Sequence, residues 1–275
     1  MHKTKCLFNT FSTPPSVKIG LGHGFRAKNR RNCRPGFTLA EVLITLVIIG
    51  VIAALTIPNL MHNYRTKELK TGFLKCYRNI SEVTKLMTSD LGVENLAETY
   101  VNDEKRGTFV PIFEKYFRVV KTIPYGNNAE NKKFGYKNYT GNYTYTWNHA
   151  DLGSPYSSYS GIFILSDGSS MSMQLTSNRI WFVVDINGPY KRPNRQGYDL
   201  FTFYIDKKKP VLQLHKQVKL YTPEELATMS YSYLSGHPCS ENSSQEYNGV
   251  GCAWYAFHDI NPDDSSKPYW KSLKW

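Results

Sequence analysis

Residues 37–57 run Phe-Thr-Leu-Ala-Glu-Val-Leu-Ile-Thr-Leu-Val-Ile-Ile-Gly-Val-Ile-Ala-Ala-Leu-Thr-Ile, twenty-one residues with one charge, Glu41. As a helix rising ~1.5 Å per residue, this stretch is ~30 Å long, the thickness of a bilayer hydrocarbon core. It is apolar on every side, so only lipid or other apolar helices can cover it. The 36 residues before it carry eight basic side chains (Lys3, Lys5, Lys18, Arg26, Lys28, Arg30, Arg31, Arg34) and no acid. A basic flank of this kind stays on the cytoplasmic side of a membrane, which puts the residues after the span outside. A cleaved secretory signal competes with this reading. Its apolar region is ~7–15 residues long and ends in small residues, whereas this run is longer and holds an acid in its first turns.

The net charge of +12 points toward nucleic acid until its distribution is considered. With eight of the 34 basic residues in the leader, 26 face 22 acidic ones in the rest, so the body is only mildly basic. Its 41% hydrophobic content, with 20 Tyr and 14 Phe, is enough to bury a core in one large or two small domains.

Glu41 carries the most information. A carboxylate within a span costs a few kcal/mol or more and requires a partner or a task. A cut between Gly36 and Phe37 would leave a free ammonium on Phe37, four residues from Glu41, able to neutralise it on the same helix or a neighbour. Without that cut, Glu41 is expected to be an orphan. The stretch Arg34-Pro35-Gly36 followed by Phe37-Thr38-Leu39-Ala40-Glu41-Val42-Leu43-Ile44 resembles the prepilin signature of type IV pilins and type II secretion pseudopilins. The resemblance implies cleavage after Gly36, methylation of the new N-terminal Phe37, and subunit docking guided by Glu41. It also matches Pro58 to the family's helix-kinking proline.

Beyond Pro58, apolar residues recur at Leu69, Phe73, Leu74, Tyr77, Ile80, Val83 and Met87, with spacings that predict an amphipathic helix ending near Gly92. With the span it makes one rod of about 50 residues, ~75 Å long, bent at Pro58. A short helix is expected over Phe109–Val120 and a polar surface loop over Asn127–Thr140. Strands are expected at Tyr143–Trp147, Gly161–Leu165, Ser170–Leu175, Ile180–Ile186, Leu200–Ile205 and Val211–Leu220, with a hairpin at Asp167-Gly168 and a helix over Pro223–Met229. The fold class is α+β and pilin-like, a long N-terminal helix packed on a small antiparallel sheet. Its segments are a leader, 1–36; the span, 37–57; its amphipathic continuation, 58–92; and a head, 93–275, with a C-terminal disulfide loop.

Asp185, Asn187 and Asp199 surround a glycine-rich turn, Asp185-Ile186-Asn187-Gly188-Pro189 followed by Gly197-Tyr198-Asp199. Three such oxygens suit either a Ca²⁺ site, which takes 6–8, or a plain turn closed by local hydrogen bonds. Among the five cysteines, Cys239 and Cys252 sit in a polar tail at a spacing that matches neither a zinc site nor Cys-x-x-Cys chemistry. Outside the cytoplasm they could bridge, worth ~2–3 kcal/mol, or stay as thiols. Paired C-terminal cysteines recur in the resembled family. The seven histidines form no metal-spaced set, and no nucleophile elbow, P-loop or His-Glu-x-x-His occurs, so a hydrolytic head is not expected.

The function implied is a structural subunit of a pilus-like or type II secretion pseudopilus filament. Its partners would be a prepilin peptidase and methyltransferase, other pilin-like subunits and an inner-membrane assembly platform. The subunit would sit as a single-pass protein in the cytoplasmic membrane with its head outside, then in a periplasmic or extracellular filament. The alternative is a minor pilin whose head binds DNA or an adhesion ligand, through Tyr136, Tyr139, Tyr143 and Tyr145 interleaved with Lys132, Lys133 and Lys137.

Overall fold

The computed structural model describes residues 36–101, 106–124, 133–137, 139–140, 161–218, 222, 224–225, 228, 237–243, 245 and 247–274. The chain divides into two units, Met1–Val51 and Ile52–Trp275. Helix α1, Leu39–Leu91, is continuous through Pro58, so the span and its amphipathic continuation are one element. It ends where Gly92 turns to φ 62°, with Gly92 N–H donating to the Ser89 carbonyl (3.3 Å) and Val93 N–H to that of Thr88 (3.1 Å). This double bond to the last turn satisfies carbonyls that would otherwise lack donors.

Within the second unit, α1 buries Thr66, Leu69, Phe73, Cys76, Ile80, Thr84 and Met87, a stripe spaced by three and four. The expected stripe included Leu74, which is exposed; Cys76 takes the core position instead. Phe73 meets Phe201, Phe203 and Trp270 at ring-centroid distances of 4.6, 5.8 and 5.7 Å.

Helix α2, Leu96–Tyr100, is capped by Asn95, which accepts from Ala97 N–H at 2.8 Å while its amide donates to the carbonyls of Asp206 and Lys207. Helix α3, Arg106–Tyr116, aligns Phe109 and Phe113 with Phe117 beyond its end, all three buried. The expected helix over Phe109–Val120 thus stops short. Val119 and Val120 are β-branched and open strand β1, Val119–Ile123, which the sequence reading missed.

The sheet has six antiparallel strands in sequence order, β1 followed by β2 (Ile162–Leu165), β3 (Ser170–Leu175), β4 (Arg179–Asp185), β5 (Leu200–Asp206) and β6 (Lys209–Leu214). Asp167-Gly168 makes the β2–β3 turn as expected, with Gly168 at φ 86° and the Asp167 carboxylate accepting from Ser169 N–H and Oγ–H. Strand β6 ends at Leu214 rather than Leu220; Pro210 within it fits an edge strand. The strands read as apolar runs because both sheet faces are covered. Phe182, Val184 and Phe203 join the main core with α1 and α3, while Val183, Leu200, Ile162 and Ile164 form a second cluster with Ile123, Phe134 and Tyr136. Part of the expected surface loop over Asn127–Thr140 therefore belongs inside, since Phe134, Tyr136 and Tyr139 are buried.

The C-terminal part forms a 3₁₀ turn, Val250–Cys252, then α4, Ala253–His258, and α5, Tyr269–Ser272. The strand expected over Tyr143–Trp147 lies outside the described residues. Most of the helix expected over Pro223–Met229 does too, although Thr222 and Glu225 exchange capping bonds at 2.9 and 3.3 Å.

Candidate functional site

From Gly36 to Leu60 every residue except Ala53 is exposed, so the described residues leave a continuous apolar helix surface uncovered. Its hydroxyls are turned inward: Thr45 Oγ–H donates to the Val42 carbonyl and Thr56 Oγ–H to that of Ile52, each at 2.9 Å. This suits a helix in lipid, where no water can satisfy them. Pro58 has no N–H for the Ala54 carbonyl, the one break in the ladder.

Glu41 is no orphan in the uncut chain. Thr38 N–H donates to its carboxylate at 2.8 Å, Thr38 Oγ–H at 2.9 Å, and Glu41 N–H donates back to Thr38 Oγ at 3.2 Å. Thr38-x-x-Glu41 is a capping box, legible in the sequence as a Thr three residues before an acid at a helix start. The carboxylate thus accepts two bonds, both from neutral donors of Thr38. A cut after Gly36 would put an ammonium on Phe37, one residue before Thr38.

The head holds the second cluster. The register pairs Asp185 at the end of β4 with Leu200 at the start of β5, which puts Asp199 beside it. Both carboxylates are fully buried. Asp185 accepts from Gly188 N–H (2.9 Å), Asn187 N–H (3.3 Å) and Tyr136 O–H (2.9 Å); Asp199 accepts from Asn194 N–H (2.7 Å) and Arg195 N–H (2.6 Å). The Asn187 amide lies between them, and with its NH₂ turned inward it donates to Asp185 at 2.8 Å and Asp199 at 3.2 Å. Burial raises both carboxyls, Asp185 well above the usual range and Asp199 to about 7, and the mutual repulsion of the pair raises Asp185 further.

The structure therefore brings Asp185, Asn187 and Asp199 together as expected. Each carboxylate oxygen already accepts a backbone or tyrosine hydrogen bond, and three side chains supply fewer oxygens than the 6–8 of a Ca²⁺ shell. No group of three or more His, Cys, Asp or Glu is placed to hold a metal among the described residues. The geometry fits a hydrogen-bonded turn. Gly188 closes this turn at φ 83°; a Cβ there would lie 2.0 Å from the Gly168 carbonyl oxygen, so only glycine lets the loop cross the β2–β3 turn.

Cys239 and Cys252 form a disulfide, both buried, against Gly197 of the same loop. Asn248 orders the polar segment between them, donating to the carbonyls of Ser240 and Ser243 at 2.7 and 2.8 Å. Cys76 is a free thiol, and burial pushes it up to about 12, so it is inert at neutral pH. The sequence also hid a histidine pair. His215 Nε2 lies 2.9 Å from His237 Nδ1 behind Trp181; burial pushes His237 down to about 4 and His215 well below its usual value. Twenty-two residues separate the two, and only the fold shows that they meet.

Of the tyrosines and lysines suggested for nucleic acid, Tyr136 and Tyr139 are buried and cannot stack on bases. Lys132, Tyr143 and Tyr145 lie outside the described residues.

The family described as the prokaryotic N-terminal methylation motif matches residues 31–57. The type II secretion system core protein G of Escherichia coli strain K12 is 31% identical over 100 residues, covering 34% of this chain and 68% of that protein. The protein of the same name from Klebsiella michiganensis is 50% identical over 34 residues, covering 12% of this chain and 24% of that relative. No solved structure is significantly similar to the chain.

Proposed function

The chain belongs to the family of type II secretion system core protein G, and from that membership we propose that it is a structural subunit of a pseudopilus filament anchored in the inner membrane before assembly. The observation that carries the reading is the apolar stretch 37–57, exposed at every residue but Ala53 and holding Glu41 in its first turns. A prepilin peptidase cuts between Gly36 and Phe37, and Phe37 is methylated. The helix is drawn from lipid into a bundle of like helices, where close packing supplies most of the stabilisation. Glu41 sets the register by pairing with the ammonium of its own or a neighbouring Phe37. The head is the outward part, a solid α+β body whose buried polar clusters serve its own architecture. Other pilin-like subunits and the inner-membrane assembly platform are the partners of this scheme, and the chain carries out no catalysis in it.

Mass spectrometry of the chain recovered from cells with an active prepilin peptidase tests the reading. The expected N-terminus is methylated Phe37. Gly36→Leu should block the cut, and Glu41→Ala should be cut normally yet enter filaments poorly. Recovery of the wild-type chain with residues 1–36 attached would refute the proposal.

A further inference from the structure

Beside the part of α1 that holds Arg65, the second unit carries a cationic cavity that filament assembly does not explain. It is about 450 Å³ in volume and is lined by Arg65, Lys191, Arg192, Arg195 and Lys274, with Glu68 the one carboxylate among its lining residues. Lys274 is paired with Glu241. The guanidiniums of Arg192 and Arg195 donate to the neutral carbonyls of Phe134 (2.8 Å) and Tyr139 (2.8 Å), which fixes them in place without cancelling their charge. Arg195 is further held flat on Tyr198, 4.0 Å from the ring centroid. Arg65, Lys191 and Arg192 are exposed. The cavity is therefore a set of oriented cations with little compensating charge, the arrangement that receives phosphate oxygens.

Its position along α1 identifies the source of the phosphate. Ile57 ends the apolar run, and Leu60, Met61 and Tyr64 are still exposed apolar or aromatic side chains. Arg65 follows directly, eight residues or ~12 Å of helix beyond Ile57. The C-terminal segment reaches the same level, since His62 Nε2 lies 3.2 Å from the Leu273 carbonyl oxygen. The polar layer outside a hydrocarbon core is ~5–8 Å deep, and Lys and Arg side chains reach several ångströms toward it. Tyr64 and Tyr190 are exposed at this side, as aromatic side chains are at membrane interfaces.

Resting on the reading of 37–57 as a membrane span, we infer that this cavity binds the headgroup phosphate of an anionic phospholipid in the outer leaflet. The contact would hold the head down on the membrane while the subunit waits, and it must be released for the subunit to join a filament.

The test uses the full chain in nanodiscs of phosphatidylcholine alone or mixed equally with phosphatidylglycerol, with retained lipid counted by native mass spectrometry after release. The expected result is selective retention of phosphatidylglycerol. It should fall roughly 25-fold in Arg65→Ser/Lys191→Ser, at about fivefold for each cation removed near a charged surface. Both positions are exposed, and an unchanged circular dichroism spectrum would confirm that the variant folds. Equal retention of the two lipids, or no change in the variant, would overturn the inference. Displacement of the lipid by soluble glycerol phosphate at equal concentration would overturn it in favour of a free phosphate ligand. Failure of the chain to enter either nanodisc would refute the span itself, a different result from entry without lipid preference.

Discussion

Phe73→Ala measures the lock between the assembly helix and the head. Phe73 has no solvent exposure and touches Phe201, Phe203 and Trp270, which belong to β5 and α5. Removing a buried Phe ring costs ~3–5 kcal/mol through lost transfer energy and the cavity left behind. Three aromatic neighbours argue for the upper half, since each such pair is worth ~0.5–1.5 kcal/mol beyond area. For a domain of this size ~4 kcal/mol lowers the melting temperature by roughly 12 °C. The assay is thermal unfolding of the full chain in detergent, followed by near-ultraviolet circular dichroism, which reports the packing of these rings. Leu74→Ala is the control, being one residue along the same helix at 37% exposure. It should cost under ~1 kcal/mol. Equal losses in the two variants would refute the argument, because they would mean that helix propensity rather than the ring lock sets the stability. A Phe73→Ala loss below ~1 kcal/mol would mean that α1 is not held by this face.

Four further outcomes are expected. Gly168→Ala should cost ~1–2 kcal/mol in chemical denaturation, as a left-handed residue with open space around its Cβ, while Gly188→Ala should cost at least twice that because the Gly168 carbonyl oxygen occupies the Cβ position. Replacing both Cys239 and Cys252 by Ala should cost ~3 kcal/mol, from the entropy of a loop with a sequence separation of 13, measured by the same denaturant titration under oxidising conditions. The raised Asp185 and Asp199 carboxyls contribute stability that is present below the ordinary carboxylate pKa and lost as pH rises through their folded values, about 7 for Asp199, whereas the depressed His215 and His237 contribute stability that is present above pH ~6.5 and lost as pH falls through theirs, about 4 for His237. Asp199→Asn should remove the first arm, so melting temperatures should rise more from pH 5 to pH 7 in the variant than in the wild type. Millimolar Ca²⁺ should leave the wild-type melting temperature within about a degree, and a rise of several degrees would restore the calcium reading of Asp185, Asn187 and Asp199.

The sequence made the long helix legible because two different signals overlap in it: an unbroken apolar run, then a spacing of three and four. The strands were legible as apolar runs bounded by turn residues, and Asp167-Gly168 named its hairpin. Strand β1 was lost because Val119-Val120 follows a helical Phe109, Phe113, Phe117 ladder, and a period of four conceals where the helix stops. Phe134, Tyr136 and Tyr139 were lost for a different reason. They are set among Asn and Lys, so composition reads as solvent while the alternation of Phe134 and Tyr136 reads as a buried edge. The Asp185 and Asp199 pair was visible as a motif, yet its burial depends on β4–β5 register. The histidine pair depends on a contact between segments that no local pattern links.

Glu41 has two partners open to it, and the difference between them explains why a cut can act as a signal. Before the cut, Thr38 supplies an N–H and an O–H to the carboxylate, enough to start the helix but leaving a full negative charge in the apolar stretch. The proposed cut after Gly36 would put an ammonium on Phe37, one residue before Thr38. A charge pair in low dielectric is attracted strongly but recovers its desolvation cost only in good geometry. Thr38 already holds one carboxylate oxygen toward the helix N-terminus, so the other oxygen can reach a neighbour's ammonium without breaking the cap. On the proposed scheme, cleavage would add a cationic partner without dismantling the structure that positions Glu41. An uncut subunit would present the same apolar surface but no α-ammonium on Phe37 to pair with a neighbour's Glu41. That is a physical reason for assembly to wait on proteolysis.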